Sequence, residues 1–352
     1  MTVVDDVAKT VPVADKTDKT DETGETGETG EAGAWRQKYE AASRDVYRAT
    51  LLDLAKSDPR IFVVDTDMGG FEDTFEAELP DQYVNVGIAE ANLMGVSAGL
   101  AADGLVPFAN TIASFAATRA CEQVKVDIAG NNLPVRIVGT HGGFSAGHYG
   151  PTHHALEDVA ILRTLPNLTV VVPADAAETE YAIRAVADTD AFPGPVYIRL
   201  GRKATGLVHE GPYAFRIGRA DVLRGGDDVT VVATGPLPVS EALAAADLLA
   251  ARGIGARVLN MHTVKPLDEA AVLGAARETA GLVTVEDHVL VGGLGAAVSE
   301  LTAEHHPCRV RRIGVPDGFH DEVGSERELL ALAGVTAERI AAAAEEVVRH
   351  AP

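Results

Sequence analysis

YVNVGIAEANLMGVSAGLAAD, residues 83–103, decides the fold. Tyr83 to Gly87 is a short, mostly apolar run closed by glycine, as in a strand, and from Glu90 onward small and apolar residues continue without a break, as in a buried helix. A strand that enters a helix through a glycine, with a carboxylate at the join, is half of a βα unit. The pattern repeats on both sides. Upstream, RDVYRATLLDLAK (44–56) predicts a helix with Val46, Ala49, Leu52 and Leu54 apolar, followed by the strand IFVVD (61–65). Downstream, FAATRACEQVKVDIAG (115–130) predicts a longer helix, while VRIVGT (135–140), LTVVVP (168–173) and VYIRLG (196–201) read as strands. Asp175-x-x-Glu178 opens a helix over 176–188 in the manner of a capping box. Continuous apolar strands of this kind suit a parallel sheet covered on both faces.

Residues 202–225 are polar, glycine-rich and weakly periodic, and are read as a connection. A second βα series follows: VTVVAT (229–234), a helix near 238–252 closed by Gly253, ARVLN (256–260), a helix near 268–280, LVTVED (282–287) and RVRRIGV (309–315). Ser325-x-x-Glu328 caps a short helix, and 336–349 is the last one. The expected fold is α/β, with two doubly wound domains of mainly parallel sheet at 35–205 and 226–352, joined by a linker at 206–225. Residues 1–34 are rich in Asp, Glu, Thr and Gly and poor in large apolar side chains. Such a segment cannot offset its ordering entropy and is expected to be a disordered acidic tail.

The net charge of −22 argues against nucleic-acid and anionic-membrane binding, both of which call for basic patches. Two cysteines, Cys121 and Cys308, exclude a disulfide framework and a cysteine-rich metal site. No apolar run reaches the roughly 18 residues of a membrane span, and no secretory leader is read at the N-terminus. A cytoplasmic protein is expected.

Sites in open α/β sheets lie at the carboxyl ends of strands. Three such ends carry chemistry: NVGIAE (85–90), THGGFSAGHYGPTHH (140–154) and RLGR (199–202). Glu90 complements a helix dipole as any first-turn carboxylate does. Its neighbours Ile88, Ala89, Leu93 and Met94 are apolar, and a carboxyl held there can share a proton with a ligand nitrogen. His141, His148, His153 and His154 are interleaved with glycines, which let backbone approach a ligand. Their spacing, H-x6-H-x4-H-H, matches no common zinc pattern. Of Arg199 and Arg202, either is a structural ion-pair residue or a clamp for phosphate or carboxylate.

Together these segments resemble the C-terminal half of transketolase, its pyrimidine-binding domain followed by its C-terminal domain. NVGIAEANLMGVSAGLA (85–101), GPTHHALEDVAILRTLPNLTVVVPAD (150–175), PVYIRLGR (195–202) and VTVEDHVLVGGLGAAV (283–298) carry the resemblance, which runs from about Arg44 to the end. It is nearest to split transketolases, in which a second polypeptide carries the pyrophosphate domain. The resemblance implies thiamine diphosphate as cofactor. Glu90 falls on the glutamate that bonds the aminopyrimidine, Phe115 on the aromatic that stacks on it, Met68 and Ile88 on apolar positions beside it, and Asp67 on an adjacent carboxylate. His141 and His153 fall on histidines that handle substrate protons, and Arg44 and Arg202 on arginines that bind a terminal phosphate.

Three departures stand out. Where the family usually has Glu-Asp before Gly-Pro-Thr-His, this chain has His148-Tyr149; Phe71 stands at a phosphate-contacting serine; Ile112 and Thr118 stand where further stacking aromatics are usual. A site without the aspartate that bonds the acceptor hydroxyl need not demand that hydroxyl. An acceptor other than an ordinary aldose phosphate is therefore expected, with substrate-binding roles for His148 and Tyr149. The chain has no Gly-Asp-Gly motif to hold Mg²⁺ against a diphosphate. The Mg²⁺ end is thus expected on a partner subunit, in a dimer of heterodimers. A β subunit of a 2-oxo acid dehydrogenase or decarboxylase, and a non-catalytic scaffold partner, are the alternatives.

Overall fold

A computed structural model describes residues 34–351. All but the last residue of the expected acidic tail, 1–34, lies outside the described residues. The first domain has helices α1 (Ser43–Ser57), α2 (Glu90–Ala102), α3 (Ala113–Ala117), α4 (Cys121–Gln123), α5 (Asp158–Arg163) and α6 (Ala176–Ala187). Its strands are β1 (Ile61–Asp65), β2 (Tyr83–Asn85), β3 (Val106–Ile112), β4 (Arg136–Thr140), β5 (Thr169–Val171) and β6 (Val196–Arg199). They run parallel in the order β5-β6-β4-β3-β1-β2. Successive strand residues point to opposite faces. Val64, Ala109, Ile137, Val170 and Tyr197 share one core with α2, α3 and α5 on one side, and Val63, Phe108, Val138, Val171 and Ile198 share another with α1 and α6 on the other. Burial on both faces is the reason these strands read as unbroken apolar runs.

The second domain has strands β7 (Asp221–Arg224), β8 (Val229–Thr234), β9 (Ala256–Asn260), β10 (Thr263–Lys265), β11 (Leu282–Val289) and β12 (Val310–Val315). Its sheet runs β12-β11-β8-β9-β7, parallel except for β7. Helices α7 (Pro236–Ala250), α8 (Glu269–Glu278), α9 (Leu294–His305), α10 (Glu326–Leu332) and α11 (Ala337–Arg349) cover it. Strand β10 leaves this domain and pairs antiparallel with β5, extending the first sheet to seven strands. Among the described residues no helix is long and apolar enough to cross a membrane.

Several local readings differ from the sequence expectation. The helix expected over 115–130 is broken into α3, α4 and a wide turn at Val124–Ala129. The Thr118 hydroxyl donates to the Ser114 carbonyl at 2.6 Å, and Ala120 N reaches back five residues to Phe115 O. Side-chain back-bonding of this kind bends helices. Helix α1 forms as expected, but its buried stripe is Tyr47, Leu51 and Ala55, one step round from Val46, Ala49 and Leu52. Strand β3 was hidden by Pro107 and by Asn110, whose amide donates to Val64 O and Phe108 O and accepts from Tyr47. Strand β7 forms inside the stretch read as a linker. The Asp175 cap accepts from Glu178 N at 2.8 Å and the Ser325–Glu328 capping box is complete, both as read.

Candidate active site

The order β6-β4-β3-β1-β2 places the carboxyl ends of five neighbouring strands on one edge. Asp67 and Met68 follow β1, Ile88 and Glu90 follow β2, Phe115 follows β3, His141 to His154 follow β4, and Arg202 follows β6. Residues scattered over more than a hundred positions are thereby gathered where open α/β sheets bind ligands.

After β2 the chain turns at Gly87, at φ +71°, with its N–H held by Asn85 Oδ1 at 2.8 Å. The turn delivers Glu90 to the first position of α2, where it is 2% exposed. The positive end of the helix faces its carboxylate. Arg119 Nη1 donates to both carboxylate oxygens, at 2.9 and 2.8 Å. The same guanidinium lies over the Phe115 ring, its Cζ 4.2 Å from the ring centroid. Phe115 and Arg119 are four residues apart and share one side of the segment. The half-exposed Arg119 makes this pair a weak contributor to stability. Its geometry is the informative feature. A buried carboxylate and an aromatic face together hold a flat group bearing N–H donors, which is the outline of an aminopyrimidine.

The histidine loop is closed at its base. Gly143 N donates to Ala155 O, and Ala155 N to Gly143 O, both at 3.0 Å. His141, itself in the left-handed region at φ +61°, is 6% exposed, with Nδ1 2.9 Å from Thr140 Oγ1. Burial, then the charges of Arg202 and Arg44, push its imidazole down to about pKa 4. It is a neutral donor–acceptor at pH 7, unlike a histidine left to titrate at 6.5. Between those two values the unfolded chain binds a proton at this site that the folded chain refuses. The contribution of His141 to stability therefore falls as pH drops through that window. In an NMR titration the His141 ring signals should stay neutral down to about pH 4; titration at the free-histidine value would contradict this environment.

His153 packs edge-on against Phe115, with centroids 5.2 Å apart, and its Nδ1 is 2.9 Å from Thr152 Oγ1. Tyr149 joins the rings: it lies 5.0 Å from His153, 3.9 Å from His148 and 6.4 Å from His141. Arg202 donates to the His148 imidazole, 3.1 Å from Nδ1, and its Cζ is 5.5 Å from the Tyr149 centroid. One chain of contacts thus runs from Glu90 through Arg119, Phe115, His153, Tyr149 and His148 to Arg202. Arg199 takes the structural role: buried, it donates to Asp158 Oδ2 at 2.9 Å and to the Ala155 and Asp287 carbonyls at 2.8 Å. That network ties the histidine loop to β11 of the second domain.

The remaining expected residues are less enclosed. Ile88 is 75% exposed and Asp67 is exposed at φ +62°. Half-buried Met68 donates its N–H to Asp65 Oδ2 at 3.1 Å. Arg44, half-buried, has its Nε 3.5 Å from Asp45 Oδ1. Phe71 faces inward, 2% exposed against Tyr47 and Phe75, and is a core residue. Sequence reasoning missed Arg119 and also Asp65, a buried carboxyl pushed up to about pKa 6 by desolvation. Only the four-residue spacing from Phe115 could have pointed to Arg119.

Residues 40–206 match the transketolase pyrimidine-binding domain and residues 218–340 the transketolase C-terminal domain. The chain belongs to the transketolase family. It is 44% identical over 309 residues to the 6-deoxy-6-sulfo-D-fructose transketolase subunit SqwH of Clostridium sp. (strain MSTE9), covering 87% of this chain and 94% of that protein. It is 42% identical over 313 residues to an apulose-4-phosphate transketolase subunit of Phocaeicola vulgatus, covering 88% and 98%. Among solved structures, a split-gene transketolase described as an inactive β4 tetramer superposes with a TM-score of 0.81 at 40% identity, covering 88% of this chain and 99% of that one. By domain content and by its likeness to split subunits over nearly their whole length, the chain is a transketolase C-terminal subunit, an enzyme component that works with a partner.

Proposed function

We propose that this subunit holds the pyrimidine end of thiamine diphosphate, while a partner subunit with a Gly-Asp-Gly motif holds the diphosphate and Mg²⁺, in a dimer of heterodimers. The cradle of Glu90 and Phe115, which here grips the Arg119 guanidinium, is the observation that carries this reading. The cofactor, when bound, supplies the nucleophilic carbon and the electron sink for moving a two-carbon ketol unit from a ketose to an aldehyde. Glu90 bonds the pyrimidine nitrogen and sets its tautomer. Phe115 supports the ring face, with Met68, Ile88 and Asp67 at its rim. His141, neutral and desolvated, hydrogen-bonds substrate oxygen, and His153 exchanges protons with substrate hydroxyl and carbonyl groups. Exposed Ile88 fits a wall that a second chain completes.

The donor or acceptor is proposed to carry an anionic tail, bound by Arg202 and Arg44 beside His148 and Tyr149. The two relatives are named for a sulfonated and a phosphorylated sugar, which supports a substrate outside the common aldose phosphates. Replacing Arg202 by Ala should raise KM for phosphorylated or sulfonated substrates about 10- to 100-fold, the worth of a charge-assisted hydrogen bond of roughly 1.5–3 kcal/mol. Uncharged ketoses should be little affected. An equal effect on both classes would remove Arg202 from the tail site. A panel of aldehydes tests the acceptor: strong preference for ribose 5-phosphate would sink the atypical-acceptor reading.

A further inference from the structure

The connection between the domains contains a second cluster that the ketol-transfer site leaves unused. Glu178 comes from α6 of the first domain, His209 from the connection, Asp221 from β7, and His262 from the turn between β9 and β10. Ligand atoms of Glu178, His209 and Asp221 all lie within 4.8 Å of one another. His209 Nε2 is 3.7 Å from Glu178 Oε1 and 3.6 Å from Asp221 Oδ2, and His262 Nε2 is 3.7 Å from the same Asp221 oxygen. These separations are too long for hydrogen bonds. They are close to the spacing of about 3.3 Å between neighbouring ligands of a tetrahedral ion with bonds of about 2.0–2.1 Å.

Burial makes the arrangement costly without a ligand. His209 Nε2, Asp221 Oδ2 and His262 Nε2 are buried and have no hydrogen-bond partner among the described residues. His262 is fully buried, and its Nδ1, 3.0 Å from Thr263 Oγ1, leaves Nε2 aimed at Asp221. Orphaned buried polar atoms are costly, so several converging on one point call for a shared partner. The surroundings are those of an oriented metal site. Tyr213 donates to Glu178 Oε1 at 3.1 Å and stacks on His209 at 3.5 Å, Phe215 covers His262 at 4.4 Å, and Asn260 also donates to Glu178. The two carboxylates flank the His209 imidazole and draw positive charge to the point between them.

We propose that Glu178, His209 and Asp221 form a structural site for a divalent transition metal, zinc by its imidazole and two carboxylates, that fastens the two domains to their connection, with His262 beside Asp221 as a positioning residue. Two carboxylates balance a dipositive ion, and the imidazole nitrogen suits zinc over calcium or magnesium. His209 and Asp221 are 16% and 19% exposed, which gives the ion a way in.

The test uses the full chain, free of any histidine tag and stripped with a chelator. Cobalt(II) should bind at one equivalent per chain with an intense visible absorption of tetrahedral type, and zinc should displace it and raise the melting temperature. His209→Ala and Asp221→Ala, checked by circular dichroism, should each weaken zinc binding at least tenfold and abolish the thermal shift. The proposal is overturned if the stripped wild-type chain takes up no metal, or if both folded variants bind zinc as the wild type does. NMR evidence that His209 remains a protonated imidazolium in excess zinc would also overturn it, leaving an ion pair in place of a metal.

Discussion

Replacing Glu90 by Gln in the assembled enzyme should lower kcat by about 10²- to 10⁴-fold, the usual weight of a positioned acid–base group, while the fold stays intact. The argument is geometric. Glu90 sits at the first turn of α2, 2% exposed, with Phe115 and Arg119 beside it. Glutamine keeps the shape and can still accept a hydrogen bond from Arg119. It lacks the ionisable oxygen that can share a proton with a ring nitrogen. The ion pair lost is with a half-exposed arginine, so the melting temperature should move little. Thermal melts beside steady-state rates check both halves. Retained activity would make the chain a scaffold; an unfolded variant would make Glu90 structural.

The second large effect is expected at Gly143. It lies at φ +59°, and a Cβ there would stand 1.7 Å from Asp287 Oδ2. That carboxylate accepts from Phe144 N at 3.0 Å, and the Asp287 carbonyl accepts from Arg199. Gly143→Ala must therefore push the histidine loop off β11 or leave a buried carboxylate unpaired. Left-handed strain of about 1–2 kcal/mol, plus a lost buried hydrogen bond of about 1–3 kcal/mol, sums to roughly 2–5 kcal/mol. Differential scanning calorimetry should register a fall of about 5–10 °C. Because the Gly143–Ala155 bridge sets His141 and His153 at the base of the same loop, kcat should fall at least tenfold as well. A variant with unchanged stability and rate would show that the loop carries no positional demand.

The strand runs were legible because both faces of each sheet are buried, so apolar residues follow one another without a polar phase. Glu90, the histidine loop and Arg202 were legible because a parallel sheet sends all its chemistry to one edge. Strand β3 was not, since Pro107 and buried Asn110 break an apolar pattern that Tyr47, 63 residues upstream of Asn110, and the Val64 and Phe108 carbonyls make tolerable. The turn of α1 was misjudged by one step because Tyr47 outweighs Val46 in the core. Arg119 and the inward Phe71 depend on contacts between segments that linear spacing does not encode. The pairing of β10 with β5 is a meeting of two domains and has no local signal at all.

The central claim is that this chain holds one end of a cofactor whose other end belongs to a partner. The most direct measurement is ketol-transfer turnover and thiamine diphosphate binding by the purified chain, first alone and then titrated with a Gly-Asp-Gly-bearing subunit in Mg²⁺. The account predicts neither activity nor tight cofactor binding for the chain alone, with both rising together to a plateau at one partner per chain. Full turnover by the chain without a partner would contradict it.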